Sequence, residues 1–212
     1  MIILGVDPGT IVTGYGVIEL PEISQLGNGS RVKTKNASAR YRVIEYGVIE
    51  STKVSTLPAR LGMIFTRLSA VFERVLPDEF AIESAFYHKN VQSTLKLGHA
   101  RGVAMVCAVT REIPTGEYSP REIKRAVTGN GNASKDQVAF MVRKLLSIER
   151  EEAMLFDAYD ALAVAITHAE RLRTTALVER AAPQLHKARK TKKKADMWKE
   201  FVQHNPNRVR QS

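Results

Sequence analysis

At 212 residues, 44% of them hydrophobic, the chain has material for one packed domain with an appendage. Its single cysteine, Cys107, excludes a disulfide framework and a cysteine-based zinc site; no charged leader precedes the first apolar run and no run spans a bilayer, so a cytoplasmic protein with no membrane partner is expected. The net charge of +10 points to a polyanionic partner, nucleic acid first, yet nine of those charges fall in residues 171–212, which hold 12 Lys/Arg against 3 Asp/Glu.

The first stretch, MIILGVDPGTIVTGYGVIE, opens with Ile2, Ile3, Leu4 and Val6, the pattern of a strand buried on both faces. Asp7 ends it, and Pro8-Gly9 turns the chain beside that carboxylate. A buried carboxylate is costly unless it is paired or binds a metal. Val12, Gly14, Gly16 and Ile18 then share one side of a returning strand, with glycines suited to the close approach of another backbone.

Residues 21–40 are polar and aperiodic and read as a long hairpin connection. Residues 42–50 resume strand character, completing an antiparallel meander. Leu57, Leu61, Ile64, Phe65, Leu68, Phe72 and Val75 repeat at helical spacing up to Pro77. Residues 79–83 form a short strand ending on Glu83, as the first strand ends on Asp7. A helix from Asn90 to Arg111 follows, with Gly98, Ala100, Gly102 and Ala104 in its middle. Tight packing on the sheet and a subunit interface both explain those small residues.

Residues 113–118 make an edge strand. Ser119-Pro120-Arg121-Glu122 and Ser134-Lys135-Asp136-Gln137 are capping boxes that open two helices around a loop at 130–133. A final helix is expected from about Ala153 to Arg173. The order predicts an α/β fold with a mixed five-stranded sheet flanked by helices on both faces. The domain is expected over residues 1–172. Residues 173–212, with the charge run KARKTKKK and a small island of Met197, Trp198, Phe201 and Val202, read as a basic, flexible tail.

Asp157 and Asp160 are three residues apart and share a helix face with Ala161, Val164, Ala165 and His168, so both acids point towards the sheet. Together with Asp7 and Glu83 they would form a cluster whose pKa values rise unless cations sit among them. Oxygen-only ligands favour Mg²⁺, with Mn²⁺ as a substitute, over Zn²⁺. Two such ions about 3.5–4 Å apart support in-line phosphoryl displacement. Arg121, Lys124, Arg125 and Lys135 surround the two capped helices and are candidates to hold phosphates.

DPG…TGYGVIE, AIESAFYHKN, LKLGHARGVA, the segment from Tyr118 to Lys135 and DAYDALAVAITHA together resemble the RuvC Holliday-junction resolvases of bacteria. The resemblance implies a ribonuclease-H-like fold and a Mg²⁺-dependent, homodimeric endonuclease. Such an enzyme nicks two symmetry-related strands of a four-way junction in recombination and repair, and cooperates with the RuvA–RuvB complex. It places the catalytic carboxylates on Asp7, Glu83, Asp157 and Asp160, and basic groups near the scissile phosphate on Lys124 and Lys135. Phe86 matches an aromatic that wedges against a base at the junction centre, and the helix from Asn90 matches the dimer-forming one. The 21–40 connection and the basic tail depart from the family pattern. Two other readings compete: a junction binder without catalysis, and an ATP-binding lobe of the actin and sugar-kinase type, whose phosphate loop also follows a strand with an Asp and a glycine-rich return.

Overall fold

The computed structural model describes residues 1–20, 40–84, 91–149, 156–189 and 194–204. Nearly all of the 21–40 connection, Phe86, the Ala153 helix start and the centre of the charge run lie outside the described residues. So do the side chains of Met197 and Trp198. The chain divides into Met1–Glu170 and Arg171–Ser212.

In the first unit, β1 (Ile2–Asp7), β2 (Val12–Glu19) and β3 (Arg42–Glu50) form the antiparallel meander. Helix α1 (Leu57–Val75) then returns the chain, so β4 (Glu79–Glu83) enters parallel to β1 on its other side. Helix α2 (Val91–Val109) does the same for β5 (Thr115–Tyr118), which is parallel to β4. The resulting sheet has the order β3-β2-β1-β4-β5. The return through α1 is what brings β1 and β4 side by side with their carboxyl ends together, and the return through α2 adds β5 in the same direction. Val6 pairs with Ile82, so Asp7 and Glu83 are the next residues along adjacent parallel strands. The carboxyl ends of such strands are where ligands gather in open α/β sheets.

The two faces of the sheet are built differently. On one, Leu4, Val6, Val17, Phe80 and Ile82 meet Leu68, Val71 and Phe72 of α1 and Ala104, Cys107 and Ala108 of α2. Each large buried aliphatic or aromatic side chain here contributes about 1.5–3 kcal/mol. Cys107 is fully buried in this layer, and burial pushes its thiol pKa up, which suits a packing role. Phe65 belongs to the predicted stripe but is 45% exposed. It lies a residue beyond Ile64, about 100° around the helix, and only the Ile64–Leu68–Val71–Phe72–Val75 line reaches the sheet.

The other face is covered by α5 (Phe156–Arg189), and here the sheet is pared down to glycine. A Cβ at Gly5 would lie 2.3 Å from the Ala161 carbonyl oxygen, and one at Gly16 would lie 2.6 Å from Leu162 Cγ. The backbone of α5 therefore rests directly on β1 and β2. Between β5 and α5 stand α3 (Pro120–Thr128) and α4 (Lys135–Leu146). Both open on complete capping boxes, at Ser119/Glu122 and Ser134/Gln137, as their sequences predict. Helix α5 continues past Arg173 to Arg189, because residues 174–189 are rich in Ala, Leu, Glu, Gln and Arg, which favour helix. The second unit also holds α6 (Lys194–His204). No helix among the described residues is long and apolar enough to cross a membrane.

Candidate metal centre

Asp7 is held by the turn that follows it. Thr13 is fully buried and its hydroxyl donates to the Gly9 carbonyl at 2.6 Å. Ser51, just past β3, donates through its hydroxyl to the carbonyls of Thr10 at 2.7 Å and Ile11 at 3.1 Å. With the Ser51 amide, which also donates to the Ile11 carbonyl, these bonds tie the turn after β1 to the end of β3.

Asp157 and Asp160 arrive from the opposite side. Gly14 is the ladder partner of Asp7, and a Cβ there would meet the Asp157 carbonyl oxygen at 1.9 Å. Glycine at this position lets the first turn of α5 come down onto the sheet next to Asp7. The negative side chains at that helix start are also favoured by the helix dipole. One carboxylate oxygen from each of Asp7, Asp157 and Asp160 can lie within 4.8 Å of the others. Glu83 falls outside this triad but acts on it electrostatically from the end of β4.

The cluster resists ionisation. Burial, then the charges of Glu83, Asp160 and Asp157, push Asp7 from 3.8 up to about 8, with Lys135 opposing. Glu83 is pushed up to about 7, by burial first and by Asp160 second. Asp160 is raised as well, chiefly by burial, though Lys135 holds it down in part. Two like-charged neighbours at this separation cannot both lose their protons cheaply without a cation between them.

Lys135 supplies part of that positive charge. From the first turn of α4 its ammonium lies 2.9 Å from Asp160 and 3.3 Å from Asp157. Loss of water lowers its pKa, but the Asp160 hydrogen bond and the two carboxylate charges more than offset this and keep it raised. The ammonium also sits 5.9 Å from the Phe156 ring centroid, a cation–π contact that fixes its approach. Lys124, half-buried on α3, lowers the pKa of Glu83 and Asp160 through its charge. Arg121 and Arg125 are exposed on the same helix, and the basic fields acting on the acids come from the two lysines.

The donor set is all oxygen, close-spaced and short of positive charge, with no described His or Cys in the cluster. That fits a hard divalent cation. Asp157 keeps 38% and Asp160 20% of side-chain exposure, so the centre is open to solvent. Sequence reasoning missed Phe156, which reads as an ordinary apolar helix start. It also missed Thr13 and Ser51, whose role depends on partners in other segments.

Residues 3–168 match the family model described as crossover junction endodeoxyribonuclease RuvC. The RuvC of Porphyromonas gingivalis is 42% identical over 210 residues, covering 99% of this chain and 97% of the relative. That of an Enterobacter species is 44% identical over 169 residues, 79% of this chain and 86% of the relative. Among solved structures, Thermus thermophilus RuvC in complex with a Holliday junction substrate matches with a TM-score of 0.69 and 28% identity. It covers 82% of this chain and 96% of that one.

Proposed function

This chain belongs to the RuvC family of crossover junction endodeoxyribonucleases, with the family's ribonuclease-H-like fold, and from that membership we propose how its own residues carry out the reaction. It is an endodeoxyribonuclease that acts on four-way DNA junctions, cutting paired, symmetry-related strands during recombination and repair. The observation that carries the site assignment is the meeting of Asp7, Asp157 and Asp160 within 4.8 Å, from segments 150 residues apart in the chain, with Glu83 alongside.

In this reading Asp7, Glu83, Asp157 and Asp160 hold Mg²⁺, for which Mn²⁺ substitutes, with two ions per site when substrate is bound. The ions supply Lewis acidity to the phosphodiester and lower the pKa of water. A bound cation would offset the burial, and with it the repulsion, that together raise the pKa values of Asp7 and Glu83. Lys135 pairs with Asp157 and Asp160, and with a cation held by those carboxylates its ammonium would be available to a phosphate. Lys124 adds positive charge on the Glu83 side. Both offset the charge that grows on the phosphate oxygens in the transition state. Arg121 and Arg125, exposed on α3, hold the DNA backbone, and Phe86 stacks on a base at the junction centre.

The enzyme works as a homodimer. Val91, Leu95, Gly98, Gly102, Val106 and Val109 fall on one line along α2; the four apolar side chains are 51–70% exposed, and a Cβ at either glycine would meet open space. Ala100 and Ala104, by contrast, are buried. The small residues thus serve the sheet with their alanines and leave the glycines facing outward, where a second copy of α2 would pack. Two-fold symmetry suits a junction cut at two symmetric sites. A cytoplasmic location and cooperation with RuvA–RuvB belong to the same reading, which rests for both on the family. Incubation with Mg²⁺, a synthetic four-way junction and a linear duplex tests the proposal. Paired nicks in the junction alone are expected, whereas bound but uncut junction would favour a catalytically silent binder.

A further inference from the structure

The Asp157–Asp160 face of α5 continues to His168, which is 5% exposed. Its ring lies on Gly116 of β5, where a Cβ would come within 2.5 Å of Nδ1. Nδ1 is 2.7 Å from the Tyr118 hydroxyl, and Nε2 is 3.1 Å from a Glu79 carboxylate oxygen. The ring nitrogens thus make one hydrogen bond each, Nε2 with Glu79 and Nδ1 with Tyr118. One side chain thereby bonds α5 to β5 and to β4.

Its partners are tied to the metal centre. Glu79 opens the five-residue strand that Glu83 closes. Tyr118 is the ladder partner of Glu83, and its carbonyl accepts from both the amide and the hydroxyl of Ser84, the residue after Glu83. Tyr118 also leads straight into Ser119, the cap of the helix that carries Lys124. Elsewhere α5 meets the sheet through glycine and alanine, through Leu162 on Gly16, Tyr159 against the Tyr46 ring, and Glu170, which accepts from the Tyr41 hydroxyl. On the β4–β5 side, close packing alone sets how near the helix comes but does little to resist sliding along the sheet. Directional hydrogen bonds at His168 do resist it.

We propose that His168, seated on Gly116 between Tyr118 and Glu79, is a positioning residue that fixes the register of α5 so that Asp157 and Asp160 stand opposite Asp7 and Glu83. The inference rests on the reading of those four acids as metal ligands. His168 touches no substrate; it acts through the acids about two and three helical turns away.

The full-length protein tests this with His168→Leu, His168→Gln and Tyr118→Phe. Mn²⁺ affinity is read without DNA by electron paramagnetic resonance of the free ion, junction affinity in EDTA by gel shift, and cleavage in Mg²⁺. His168→Leu is expected to lose about tenfold in Mn²⁺ affinity and in cleavage, the low end for a group supporting metal ligands. Junction affinity should stay within about twofold. Tyr118→Phe, which keeps the ring and its packing, should show a smaller loss of the same kind. His168→Gln, which keeps a donor and an acceptor, should recover most of it. Unchanged Mn²⁺ affinity in both His168→Leu and Tyr118→Phe would overturn the proposal, as would a junction affinity that falls in step with cleavage, or a Gln variant no better than Leu. If the unaltered protein binds no Mn²⁺, the reading of the acids fails first and the inference falls with it.

Discussion

Gly14 stands opposite Asp7 in the β1–β2 ladder, and its missing side chain is the space through which the Asp157 backbone reaches the sheet. The obstacle met by a Cβ here is main chain, which cannot swing aside. Gly14→Ala should therefore lift the start of α5 and cost about 1–3 kcal/mol of stability, the usual range for overpacking. Cleavage should fall far more than the melting temperature suggests, because Asp157 and Asp160, the proposed ligands, move together. Thermal melts and single-turnover cleavage of the same preparation will show whether the two losses separate.

The raised pKa values of Asp7 and Glu83 make the cation-free protein sensitive to alkali. A carboxyl that binds its proton more tightly folded than unfolded stabilises the fold while protonated. That contribution is complete below the unfolded values near 4 and is lost as pH rises through about 7 and about 8. In EDTA the melting temperature should drop between pH 5 and pH 8.5, and excess Mg²⁺ should restore it. Asp7→Asn should flatten the profile, abolish cleavage and leave junction binding intact. A flat profile in the unaltered protein would contradict the clustering.

Lys135 contacts Asp157 and Asp160, so under the proposed function its loss should be felt in chemistry rather than in binding. Lys135→Met is expected to slow cleavage about 10²-fold, the scale of losing one group that stabilises transition-state charge. Junction affinity should change little, since one phosphate contact among many is at stake. Lys135→Arg should rescue poorly, because the guanidinium fork does not fit a site built around a point charge between two carboxylates. Rates under saturating enzyme distinguish these outcomes from a binding defect.

The outward line on α2 predicts the assembly state. Val106→Glu places a charge where two copies of the helix would meet, and should yield a monomer by light scattering. Its fold should survive, as Val106 is half-exposed and outside the core. Junction cutting should lose its pairing, leaving single nicks, if the dimer is what couples the two incisions.

Much of this arrangement could be read before any coordinates. The apolar run ending on Asp7, the spacing of Asp157 and Asp160, and the two capping boxes are local patterns, and local patterns carry their own geometry. Gly14 and Gly16 also announced that another backbone would come close, though not which one. Residue chemistry alone could not single out Lys135 and Lys124 among four neighbouring bases, and only the family resemblance did. That choice depends on how α3 and α4 lean against α5, which no short-range rule supplies. His168 looked like one more member of an inward face, because its partners lie 50 and 89 residues away. Phe65 failed for the opposite reason: its helical spacing was right, but the stripe it joined was wider than the sheet contact.

Asp7 and Glu83 are set apart by neighbouring strands of one hydrogen-bonded ladder, and ladder spacing is a property of the main chain, about 4.8 Å whatever the side chains. This gap works as a caliper that mutation cannot easily stretch. Residues on either face are free to drift, within the limits of volume, while the jaws stay put.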